Sequence, residues 1–262
     1  MVPLRSQSGF SLVELSIVLV ILGLLTGGIL GGQALIRAAE LRAVPTEYAR
    51  WVSATQTFRD KYFALPGDLT NATSFWGLAG GDGRNAACNN AVTNSTATCN
   101  GNGNGLIATT GANENTLFWQ HQSNAGLIEW KPIKASTCCE VNQSLPASRL
   151  SQGSWFIGGF SAPVSGSANA FDGVYAPNAF SFSHRPNNST VQGVLAPEEA
   201  WNIDIKMDDG IIHSGRYVAN WSAVFSRSGV ACSTAASAAD FNATYNLSNQ
   251  SKDCIFWFRQ IF

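Results

Sequence analysis

The residues of this 262-residue chain that bear on chemistry are six cysteines, three histidines, an asparagine–glycine run and one glutamate within an apolar stretch. Cys88, Cys99, Cys138, Cys139, Cys232 and Cys254 all follow that stretch, and an even number of cysteines in an exported segment favours disulfides. Spacing suggests Cys88–Cys99 and Cys232–Cys254, which leaves Cys138 and Cys139 for a vicinal bridge, while other pairings stay open. A zinc centre calls for a Cys-x-x-Cys pair or a local Cys/His cluster, and the sequence has neither. The run from Asn100 to Ile107, NGNGNGLI, puts oxygen side chains at alternate positions ahead of a glycine and an aliphatic residue, as in the first half of a calcium loop. Asn100, Asn102 and Asn104 are therefore metal candidates. Three neutral amides leave a cation uncompensated, however, and the closing glutamate is missing; Asp82 or Glu114 would have to approach through the fold. A Gly/Asn turn is the favoured reading, so no cofactor is expected and calcium is the one left open. Asp204 and Asp208, four apart, share one helix face, where solvation or a helix end is the plainer role.

No nucleophile elbow, phosphate loop or His-Glu-x-x-His pattern is present. His121, His184 and His213 are scattered and read as surface or packing histidines, so no catalytic residue is expected and the chain reads as a non-enzyme. Lys and Arg number 16 and Asp and Glu 17, giving 13% charged residues and a net charge of −1. That balance argues against whole-chain attraction to nucleic acid or acidic membranes.

The charges are also missing from one place. Leu15 to Ile36 is a run of 22 residues without a formal charge. It is long enough to cross a hydrocarbon core as a helix of about 20 residues and too long for a signal-peptide apolar region of about 7–15. Arg5 ahead of it predicts a cytoplasmic N-terminus with the remainder exported. Glu14 sits inside the apolar stretch, where an ionised carboxylate costs about 2.5–3.5 kcal/mol near a helix centre. Cleavage after Gly9 would give Phe10 a new α-amino cation one helical turn from Glu14. The two could then pair within a subunit or between staggered neighbours, offsetting the burial of both charges.

Gly9-Phe10-Ser11-Leu12-Val13-Glu14-Leu15, followed by an apolar helix, resembles the processing signal of type IV pilins and type II secretion pseudopilins. The resemblance implies cleavage after Gly9 by a prepilin peptidase, N-methylation of Phe10, and assembly into a filament with Glu14 engaging a neighbour's N-terminus. The implied partners are identical or related pilin subunits, the prepilin peptidase and an inner-membrane assembly machinery. The implied location is the bacterial inner membrane with a periplasmic head, and then a periplasmic or extracellular filament. A bridge between Cys232 and Cys254 would staple a C-terminal loop, as in many pilins. Residues 58–68, 125–130 and 201–210 also resemble a group of pilin-like proteins. The alternative function is a membrane-anchored surface-binding module that does not polymerise.

These residues need elements to position them. Leu41, Val44, Tyr48, Trp51, Thr55, Phe58 and Tyr62 recur at alternating spacings of 3 and 4, one stripe of a helix that should pack beneath a sheet. Pro45 should bend or interrupt that helix, and Leu65-Pro66-Gly67-Asp68 should stop it. Gly23, Gly27 and Gly31 repeat every four residues, a spacing that allows close helix contacts in a membrane. Beyond, residues 77–105 read as an irregular loop and 114–127 as a short helix. A second helix opens at Pro197-Glu198-Glu199 and ends near Asp209-Gly210. Strands are expected at 154–160, 179–183, 215–225 and 254–261. The fold class is α+β: a long N-terminal helix with a membrane-spanning first half, packed against an antiparallel-sheet head. Residues 1–9 form the leader, 10–66 the membrane and filament-core helix, and 67–262 the exported head.

Overall fold

The computed structural model describes residues 9, 11–79, 96–108, 114–130, 132, 139–160, 176–187, 190–219, 232–234 and 240–259. Helix α1 runs from Leu12 to Tyr62 through Pro45 without a break. Packing divides the chain into two units, one ending at Arg42 and the other beginning at Ala43.

In the second unit the striped part of α1 is an anchor. Val44, Trp51, Thr55 and Phe58 are buried, and the Tyr48 ring meets Trp155, Phe180, Tyr217 and Phe258. Such contacts on both sides of Pro45 outweigh the one backbone hydrogen bond that proline removes, so the expected interruption does not occur. The helix ends at Tyr62, and Phe63 takes a left-handed backbone with φ of 55°.

A short helix α2 (Ala72–Trp76), not anticipated from the sequence, follows the Pro-Gly turn. Helix α3 spans Glu114–Asn124, shorter than expected because Gly126, with φ of 72°, takes the chain out of the helix. Every residue from Glu114 to Gln122 is buried, so α3 is enclosed on all sides.

Strands β1 (Ser154–Phe160), β2 (Ala176–Asn187), β3 (Thr190–Gln192), β4 (Tyr217–Ala219) and β5 (Phe256–Phe258) form one antiparallel sheet. Its order is β1-β2-β5-β4, with β3 paired to β2. β2 extends beyond the expected 179–183, and β3 was not foreseen. Of the expected strand at 215–225, residues 217–219 are strand and 220–225 lie outside the described residues. Cys254 lies outside β5 and forms a single bridge to Leu195. Helix α4 (Pro197–Met207) ends two residues before Asp209.

The register explains the core. Ile157, Phe180, Phe258 and Tyr217 stand in one cross-strand row, and Trp155, Phe182, Phe256 and Ala219 in another. α1 and α3 pack on these rows, with Trp51 edge-on to Trp119 and Phe118 edge-on to Phe180. Burial of each such ring contributes about 1.5–3 kcal/mol, which lets a sheet with three-residue strands hold together.

Candidate functional site

The N-terminal unit carries the first site. Gly9 and Ser11 are exposed, and Phe10 lies outside the described residues. The Ser11 N–H donates to Glu14 Oε2 at 2.8 Å, so the glutamate caps the first turn of its own helix. From Leu12 to Ile36 the large apolar side chains are exposed, from 49% at Ile21 to 84% at Leu12. A Cβ added at Gly23, Gly27, Gly28, Gly31 or Gly32 would meet nothing within 4 Å. These glycines therefore relieve no contact inside the chain, although each lowers helix propensity by about 1 kcal/mol relative to alanine. Thr26 returns its hydroxyl to the Leu22 carbonyl at 2.9 Å and exposes no donor. With a mean hydropathy of 2.4 over 18 residues, this helix is long and apolar enough to cross a membrane.

Residues 4–30 carry the prokaryotic N-terminal methylation motif. It is the signature of pilins and pseudopilins and supports a pilin-like or pseudopilin-like precursor, for which an apolar N-terminal helix fits membrane anchoring. No curated protein and no solved structure gives a significant match to the chain. The methylation motif and α1 coincide: the motif's apolar run is helical from Leu12 onward, and Glu14 falls on the first turn.

The head contains two further polar arrangements. In the first, Asn100 to Ala108 wraps around two carboxylates. Asp68 Oδ1 accepts the Gly103 and Asn104 N–H groups at 2.6 and 3.2 Å, and Oδ2 accepts Gly105 N–H at 2.8 Å. Glu114 accepts Asn102 N–H and Ala108 N–H, both at 2.9 Å. Burial, then the charge of Asp68, raises the Glu114 carboxyl above the ordinary range, against the pull of those two N–H groups. The metal candidates lie in this loop. Asn100 Oδ1 accepts Thr73 N–H at 2.9 Å, Asn102 Oδ1 accepts Asn104 N–H at 2.9 Å, and Asn104 Oδ1 accepts Leu106 N–H at 2.8 Å. Glu114 does approach the loop, and Asp82 lies outside the described residues. Asp68 was the acid missed, although it directly follows the Pro-Gly turn. Gly101 lets the loop pass Asp68, since a Cβ there would sit 2.3 Å from the Asp68 Cα.

His121 is buried beneath the same turn. Its Nδ1 accepts the Gly67 N–H at 2.9 Å, which leaves Nε2 to donate toward Thr98 Oγ1 and the Cys99 carbonyl. Burial lowers its pKa to about 4. His184 Nδ1 contacts the Gln152 carbonyl at 2.8 Å, and the His213 ring lies edge-on to Phe241. The three histidines thus have separate surroundings.

The second arrangement lies at the end of α4. Asp204, Asp208 and Asp209 each bring a carboxylate oxygen within 4.8 Å of the others. Asp204 and Asp208 were paired from their spacing; Asp209 was missed, although the Asp-Asp-Gly string signals it. The Tyr245 hydroxyl donates to Asp204 Oδ2 at 2.8 Å. Burial, and behind it the charges of Asp209 and Asp208, pushes the Asp204 carboxyl up to about 7, while the Tyr245 hydroxyl and the Gly210 N–H pull the other way.

Cys232 and Cys254 form a disulfide with Cα atoms 4.9 Å apart. Cys99 and Cys139 each take part in a disulfide; Cys88 and Cys138 lie outside the described residues, so the expected 88–99 and 138–139 pairings do too. Glu47 was not singled out from the sequence, yet it ties α1 to β1. It accepts the Arg149 N–H at 2.8 Å and the Trp155 indole N–H at 2.7 Å.

Proposed function

We propose that this chain is a non-catalytic structural subunit of a type IV pilus-like filament or type II secretion pseudopilus. It is cleaved after Gly9, methylated on Phe10 and assembled through α1. The observation carrying this reading is that the methylation motif coincides with a helix whose apolar residues are exposed on every side. In the membrane that surface meets lipid tails, and in a filament it meets neighbouring copies of the same helix, with small residues permitting close approach.

Glu14 supplies register. Before assembly its carboxylate holds the Ser11 N–H, at the positive end of the helix. Cleavage adds the α-amine of Phe10, and a docked neighbour offers the same cation in place of that N–H. A carboxylate in an apolar surround favours the stronger charge-assisted partner, so subunits settle where the pair forms.

Mass spectrometry of the purified protein tests the processing step. The expected mass lacks residues 1–9 and gains one methyl group; an intact Met1 in a peptidase-competent cell refutes it. Glu14→Ala should insert into the membrane and accumulate normally but lose filaments, scored by shearing and electron microscopy. Wild-type filament yield in that variant would sink the proposed pairing.

A further inference from the structure

Where α1 ends, the head has a cleft of about 810 Å³, within the range of about 300–1,000 Å³ usual for ligand sites. Gln56, Arg59, Asp60 and Phe63 line it at spacings of 3, 1 and 3, a helical face distinct from the buried stripe of Trp51, Thr55 and Phe58. The NGNGNG loop lines it as well, and that side is fixed in advance. Asn178 Nδ2 donates to the Gly105 carbonyl at 2.8 Å while its Oδ1 accepts the Ile107 N–H at 2.8 Å. The Asp68 carboxylate holds the N–H groups of Gly103 and Gly105.

Phe63 is the residue that the fold does not explain. Tyr62 beside it packs on Phe58, Phe75 and Trp76, whereas Phe63 is 93% exposed and meets no ring among the described residues. Its N–H closes the helix on the Arg59 carbonyl at 2.8 Å, but its φ of 55° is left-handed, at a helix end where glycine is the usual residue. Phenylalanine there strains the backbone and sets an apolar ring in water, and no contact within the head offsets either cost. Both are accounted for by a ligand that covers the ring.

We propose that this cleft binds a neutral oligosaccharide, with a sugar ring stacked on Phe63 and its hydroxyls met by Gln56, Asp60 and Thr70. A pyranose has an apolar C–H face and a rim of hydroxyls that both donate and accept, so it needs one aromatic surface among polar side chains. The side chains of Gln56, Asp60 and Thr70 are exposed and make no hydrogen bond within the described residues, so amide, carboxylate and hydroxyl are available to it. Arg59 opposes a cation, and Asp60 and Asp68 oppose an anion. A protein partner would call for a dry apolar centre, whereas Phe63, Ala64 and Leu65 are the apolar side chains of this lining. The proposal does not depend on filament assembly.

The test applies the full chain, in sugar-free detergent micelles, to an array of malto-, cello-, manno- and chito-oligosaccharides, with sialylated oligosaccharides as acidic controls. Calorimetry then measures affinity. At least one neutral oligosaccharide should bind with a Kd below about 1 mM. Phe63→Gly removes the ring and relieves the left-handed backbone, so it should weaken that binding at least about tenfold without lowering the urea midpoint of the head. Phe63→Trp should retain binding. Binding of no oligosaccharide, or of the sialylated ones alone, would overturn the proposal. So would wild-type affinity in Phe63→Gly, which would put the sugar elsewhere, or a lowered midpoint in that variant, which would give the ring a role in the fold. Self-association that needs Phe63, with no oligosaccharide bound, would make the cleft an interface between copies and would overturn it too.

Discussion

The two halves of α1 are one continuous helix with opposite relations to water. Between Leu12 and Ile36 every large apolar side chain is exposed, whereas Val44, Trp51 and Phe58 are at most 4% exposed. The difference lies in how apolar residues are distributed around the helix. The first half is apolar all round, so no single packed surface can cover it and it needs a surrounding medium. In the second half the apolar residues form one stripe, with Arg50, Arg59 and Asp60 exposed elsewhere, and a sheet on one side suffices. A glycine in the first half touches nothing, while Gly67, just past the second, is locked against α3.

Substitutions should separate the halves sharply. Phe58→Ala removes a fully buried ring from the cluster with Leu69 and Ala72, and should destabilise the head by about 3–5 kcal/mol in urea unfolding followed by tryptophan fluorescence. Leu19→Ala, in the exposed half, should leave that midpoint unchanged; a matching loss would erase the distinction. Gly67→Ala should be nearly as costly as Phe58→Ala, because φ is +85° and a Cβ would sit 2.3 Å from the Glu114 carbonyl oxygen.

Acid should act on the head through His121. Its folded pKa of about 4 lies below the ordinary 6.5, so between those values the unfolded chain binds a proton that the native one excludes. Its contribution is complete above pH 6.5 and is lost as pH falls toward 4, roughly 3 kcal/mol in all. The raised Asp204 carboxyl acts with the opposite sign over the same range. The measurement is therefore the difference between wild type and His121→Gln in how the urea midpoint changes from pH 7 to pH 4.5, and the variant should lose less stability toward acid than the wild type. A smaller effect is expected from Glu47→Ala, about 2 kcal/mol, from two lost hydrogen bonds, one from Trp155 in β1 and one from the Arg149 N–H in the segment before it. Smallest of all, Gly27→Ala should shift the urea midpoint of the head by less than about 0.5 kcal/mol while raising stem helicity in micelles. A large shift in the head would mean that the stem glycines serve its packing.

Much of this was legible because it is local. The stripe from Val44 to Phe58 follows the helical period, strand β1 was read at its observed limits, and Pro197-Glu198-Glu199 marked the start of α4. What escaped depends on partners far along the chain. Glu47 reads as a solvated helix acid until Trp155, 108 residues away, gives it an indole N–H. The NGNGNG loop has a cation-loop pattern in its side chains, yet its backbone N–H groups converge on Asp68, 35 to 37 residues earlier. Pro45 shows the converse: a local rule against helix continuation was overridden by packing on both sides of it.

By itself the sequence determined the motif at residues 4–30, the uncharged span behind it and the α+β class, since each rests on residue type and short-range period. Only the tertiary structure decided the strand order, the enclosure of α3 and the acids at the end of α4. Those depend on which distant segments bury one another's surfaces, and a buried group's partners are set by that closure rather than by its neighbours in sequence.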